Sequence, residues 1–220
     1  MKSAFHIDPK KYTLDQFKLS LESREMIPSR KLLKEQIKER FSVIAACGII
    51  TIGDLIGALK TKPRIEIFAQ KTNLSTEYLQ VLGREARSYF PNPISLNRFP
   101  DIDGKIISLL EARGINNSKQ LFECDIVEKG VSQISADWGV PVDELERMIG
   151  LADLSRLYGV GPVFAKILYD IGIDSVASLL AYSGEAVVKM YEEKTNKKAD
   201  FAPKDIDFSM EIGRELLKNC

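Results

Sequence analysis

A Gly-Ile signature stands at three places in the chain, as Cys47-Gly48-Ile49, Arg113-Gly114-Ile115 and Ile171-Gly172-Ile173, and each isoleucine is followed six residues later by Leu55, Leu121 or Leu179. The first two copies hold one constant separation through Ile65 and Val131, Phe68 and Ile134, and Leu74 and Val140. The third is slightly shifted, with Val187 and Met190 as its middle pair and Ala202-Pro203 in place of Leu74-Ser75 and Val140-Pro141. Self-similarity of this kind makes each copy one supersecondary unit that buries its apolar face against its neighbours.

The local chemistry of each copy reads as four short helices. The first ends at the glycine, which suits a left-handed C-terminal position where a side chain would clash. The second carries the recurring leucine, and the third presents an apolar pair at i, i+3. The fourth opens at Ser75, Pro141 or Pro203, residue types that start helices. Sustained period-two alternation is missing, so strands are not expected. Ahead of the copies, Thr13 and Gln16 form a capping box for an amphipathic helix through Leu14, Phe17 and Leu21, which would cap the first unit. The expected fold is all-α. Residues 1–27 form a leader and capping helix, and three units span 28–93, 94–152 and 153–220.

One stretch carries recognisable chemistry. Leu157-Tyr158-Gly159-Val160-Gly161-Pro162-Val163-Phe164-Ala165-Lys166-Ile167-Leu168 places a Gly-apolar-Gly turn between two helical segments. It resembles the helix-hairpin-helix motif, over about 25 residues through Leu179. Two glycines permit positive φ and close backbone approach, and Pro162 sets the first helical φ. The amides of Gly161, Val163 and Phe164 are then expected to face outward from a helix start, which suits a phosphate. The resemblance implies a DNA backbone contact made without reading bases, by Gly159, Val160, Gly161, Val163, Phe164 and Lys166. Val163 stands where such hairpins often have Lys or Arg, leaving Lys166 and Arg156 as the nearby cations. The second unit has Asp101 and Asp103 in place of Gly159 and Gly161, carboxylates expected to cap a helix start instead. The first has Glu35-Gln36-Ile37-Lys38 there, without glycine. As a whole the chain resembles an uncharacterised, domain-of-unknown-function family of tandem helix-hairpin-helix units.

Charge limits the function classes. With 31 basic and 31 acidic residues the chain is neutral overall, so attraction to a polyanion has to be local. The charge is unevenly placed, since Arg30, Lys31, Lys34, Lys38 and Arg40 make the N-terminal third basic, whereas Asp101 to Gly150 is acidic. The uncharged run Phe41 to Gly53 is too short to span a bilayer, which takes about 20 apolar residues, and reads as buried core. Cys47, Cys124, Cys220 and the lone His6 make neither a disulfide framework nor a zinc site. Asp143-Glu144-Glu146, Glu192-Glu193 and Asp205 with Asp207 read as solvated helix faces. Lys194, Lys197 and Lys198 read as an exposed loop, His6 as part of a flexible leader, and Trp138 and Phe68 as packing. No signal-peptide pattern opens the chain, so the expectation is cytoplasmic. The expected function is non-enzymatic, without cofactor, metal or membrane partner. Backbone binding to DNA through the third hairpin is the first reading, and a protein-interaction scaffold with hairpins kept for packing is the alternative.

Overall fold

The structure, a computed structural model, describes residues 4–124 and 129–219. Residues 125–128 of the expected middle unit, the first three residues and Cys220 lie outside them. Among the described residues the chain is all-α, with no strand and two isolated backbone bridges, Thr13 with Thr51 and Ser95 with Asn117. It divides into two compact units, His6–Phe90, and Pro91–Lys218 with Ala4 and Phe5.

The first unit holds α1 (Leu14–Ser23), a 3-10 turn (Pro28–Lys34), α2 (Ile37–Ala46), α3 (Ile52–Ala58), α4 (Lys62–Thr72) and α5 (Thr76–Arg87). The Thr13 hydroxyl accepts from Gln16 N at 3.1 Å and the Gln16 side chain accepts from Thr13 N at 2.8 Å, completing the capping box. α1 packs on α2 and α3. The apolar run divides as helix periodicity requires. Phe41, Ile44, Ile49 and Ile52 are buried, while Val43 and Ile50 face solvent. No helix among the described residues is long and apolar enough to cross a membrane. The stretch read as a flexible leader is instead packed, since Ile7 and Tyr12 are buried and the His6 ring lies edge-on to Phe90.

The second unit holds a 3-10 turn (Leu96–Arg98), α6 (Gly104–Glu111), α7 (Ser118–Phe122), α8 (Val131–Trp138), α9 (Val142–Leu154), α10 (Pro162–Asp170), α11 (Val176–Leu179), α12 (Gly184–Thr195) and α13 (Pro203–Asn219). Helix α9 is central, packing on α7, α8 and α10.

The same local devices occur at all three Gly-Ile sites. Gly48, Gly114 and Gly172 have φ of +87°, +78° and +95°, so each ends its helix in the conformation expected for a glycine. Three residues on, Thr51, Asn117 and Ser175 cap α3, α7 and α11 with their side chains. The first amide of each short helix has no partner within the helix and must find one outside. Ile52 N donates to Tyr12 O at 2.9 Å, Ser118 N to Ile94 O at 2.8 Å, and Val176 N to the Asp153 carboxylate at 2.7 Å.

Candidate nucleic-acid interface

Helix α9 leads into the hairpin turn and α10 leads out of it. Gly159 has φ +83°, so it needs to be glycine, and Tyr158 O beside it accepts from Ser209 Oγ of α13 at 2.7 Å. Gly161 differs from expectation. It is the N-cap of α10 at φ −78°, ψ 178°, an extended backbone open to any residue, and a Cβ there would meet no atom within 4 Å. Gly159→Ala should therefore destabilise the protein by about 1–2 kcal/mol while Gly161→Ala leaves it unchanged, as compared by thermal melting. Equal melting temperatures for the two variants would show that the turn does not depend on its positive φ.

The amides are not all turned outward. Gly161 N donates back to Gly159 O at 3.3 Å and Val160 N to Leu157 O at 3.2 Å, closing the turn on itself. Val160 is buried beneath it. The first-turn amides of Val163 and Phe164 receive no side-chain cap, since Gly161 has no side chain to offer. Val163 is 61 % exposed, Tyr158 is partly exposed, and the Phe164 ring stands edge-on to Phe201 at 4.9 Å. Phe201 in turn meets Tyr191, so this aromatic cluster ties the start of α10 to the end of α12, where Lys194, Lys197 and Lys198 are exposed.

Both expected cations are engaged internally. The Lys166 ammonium bonds to the Asp170 carboxylate one turn on and lies 3.3 Å from Asp101. The bond to Asp170, with Asp101 adding to it, holds Lys166 above its ordinary pKa. Arg156 is buried. Its guanidinium donates to Phe5 O at 3.1 Å, Ala4 O at 3.0 Å and the Asp153 carboxylate, and it lies 4.1 Å over the Phe122 ring. The two aspartates of the preceding turn have parted roles. Asp103 caps α6 as expected, accepting from Lys105 N at 2.8 Å, whereas Asp101 takes φ +58° and turns its carboxylate to Lys166. Nothing in the spacing of residues 101 and 166 signals that pair.

The other expected surface carboxylates divide. Asp207 accepts from Gly184 N at 2.7 Å and so holds α12 against α13, and Glu192 accepts from Ala199 N at 3.1 Å. Sequence reasoning missed a cleft of about 640 Å³ lined by Phe122, Ile149, Gly150 and Tyr169, with Glu146 and Asp174 at its polar edge. Burial, and then the Asp174 and Glu146 carboxylates, push the Tyr169 phenol above its usual pKa. Asp153 and Arg156, which also line the cleft, are already bonded to one another and to backbone.

Charge sets the field in which the hairpin sits. Residues 91–220 carry 15 basic and 21 acidic side chains, a net of −6, and residues 1–90 carry 16 against 10, a net of +6. The hairpin is thus on the acidic half of the chain, with the exposed Lys194, Lys197 and Lys198 at the nearby end of α12 as a local exception. No curated protein and no solved structure matches this chain. Residues 100–204, from the turn before α6 into the first turn of α13 and so including the whole hairpin, match the family described as Domain of unknown function (DUF4332).

Proposed function

We propose that the chain is a non-enzymatic, cytoplasmic protein-interaction module built from three copies of a helix-hairpin-helix-like unit, with the third hairpin retained as a packing turn. The observation that carries this reading is the pairing of Lys166 with Asp101 and Asp170, which takes the hairpin's one surface cation out of use for a phosphate. Non-specific binding to DNA draws on several Lys or Arg contacts, each releasing counterions. Here Lys166 is paired with two carboxylates, Arg156 is buried and the surrounding half of the chain is acidic.

A second reading, contact with a nucleic-acid backbone, is favoured by one specific feature. Gly161 has ordinary torsions and open space at its Cβ, so the fold itself does not ask for glycine there, and close approach of a ligand to the uncapped Val163 and Phe164 amides would. Fluorescence anisotropy with a labelled duplex separates the two. Neither the wild type nor Asp101→Asn, which loosens Lys166, is expected to saturate below about 0.1 mM protein at physiological salt. A saturable isotherm with a log-log salt slope of about 1–2, lost in Lys166→Glu, would put the nucleic-acid reading first.

A further inference from the structure

The first unit carries a groove of about 300 Å³ between α3 and α4, lined by Gly57, Ala58, Arg64, Ile67, Phe68 and Lys71. Arg64, Ile67, Phe68 and Lys71 follow one another at i, i+3, i+4 and i+7, so they form a single stripe along α4 with an apolar centre and a cation at each end. Both cations are steadied by backbone. Arg64 Nη1 donates to Gly57 O at 2.9 Å and Lys71 Nζ to Cys47 O at 3.4 Å. Ile67 is 66 % exposed, so the centre of the stripe presents an aliphatic side chain to solvent. The groove has no acidic lining residue, and the half of the chain that contains it has a net charge of +6.

Gly57 is the second and independent sign. It is the penultimate residue of α3, where glycine is a poorer helix former than leucine, yet a Cβ at this position would meet no atom within 4 Å. Neighbouring Gly53 approaches Pro9, which a Cβ would meet at 2.9 Å, whereas no atom of the protein crowds Gly57. A side chain there would instead occupy the groove.

We propose that this groove docks the apolar face of an acidic amphipathic helix from a partner protein. Two apolar residues one turn apart would seat on Ile67, Phe68 and Ala58, and carboxylates beyond them would meet Arg64 and Lys71, the helix-in-groove mode of recognition. The absence of a side chain at Gly57 leaves room for the partner's backbone to lie close. This inference rests on the interaction-module reading and names its partner class.

The test pans full-length protein against phage-displayed random peptides about four helical turns long, comparing the wild type with Gly57→Leu. Leucine fills the groove, and since it is the better helix former the variant should melt no lower than the wild type. The expected clones have an excess of Asp and Glu around two apolar residues three or four apart. They should bind Gly57→Leu at least about tenfold more weakly, and Arg64→Glu with Lys71→Glu likewise. Clones that bind wild type and Gly57→Leu equally, a predominance of basic clones, or no clones at all would overturn the proposal. So would concentration-dependent self-association that Gly57→Leu abolishes, because the occupant would then be a second copy of the chain. Clones insensitive to Gly57→Leu but lost in Val163→Glu would move recognition to the hairpin, overturning the groove while leaving the interaction-module reading standing.

Discussion

Replacing Glu85 by alanine is expected to lower stability by about 3–5 kcal/mol, the cost of stranding buried charge. The Glu85 side chain is wholly buried in the first unit, bonded to the equally buried Arg24 and 3.4 Å from Arg30 Nε. Arg30 Nη1 also donates to Val81 O at 3.1 Å, and the Arg24 guanidinium lies 5.7 Å from the centre of the Tyr89 ring. One carboxylate thus faces two guanidinium groups, all three buried away from bulk water. Glu85→Gln preserves the shape and removes the charge, so it should fall nearly as far. Urea denaturation followed by circular dichroism measures both. A loss below about 1 kcal/mol for the alanine variant would mean that solvent reaches the arginines and that the triad contributes little.

That triad also marks where sequence reading stops. Helices were legible because their signals are local. The positive φ of Gly48, Gly114 and Gly172, the Thr13 box and the Ser75 cap each depend on residues within one or two turns. Arg24 and Glu85 are 61 residues apart, and each in isolation resembles any other surface charge. The hairpin shows the same limit. Its turn could be placed from Gly159 to Pro162, but one of the two partners of Lys166, Asp101, came from a different turn, and Arg156 was drawn inward by Phe122 and two backbone carbonyls near the N-terminus. Gly161 was expected to need its glycine for conformation, whereas positive φ belongs to Gly159 alone in that pair. The α3–α4 groove was invisible because it is defined by what Gly57 lacks.

Gly184→Ala is expected to destabilise the protein by about 3 kcal/mol, at the upper end of what one added methyl does in a close-packed place. Gly184 opens α12 and lies against the start of α13, where its amide donates to Asp207. A Cβ on it would fall 2.1 Å from Pro203 O and 2.8 Å from Pro203 C. Those are backbone atoms, held by the helix that Pro203 begins, and they cannot rotate aside as a side chain would. The two helices must separate, which also lengthens the bond to Asp207. Gly104→Ala is the matched control. It too adds a methyl near a helix start, but into open space, and should be neutral or stabilising by up to about 1 kcal/mol. Comparable melting temperatures for the two variants would show that α12 and α13 can part freely.

The three first amides of α3, α7 and α11 differ in what inheritance must preserve. Tyr12 and Ile94 meet theirs with a main-chain oxygen, which every one of the twenty residues supplies, so those positions can drift while the contact persists. The third is met by one carboxylate oxygen of Asp153, whose other oxygen binds Arg156. That contact depends on the one side chain at position 153, so of the three it is the one that a single substitution can remove.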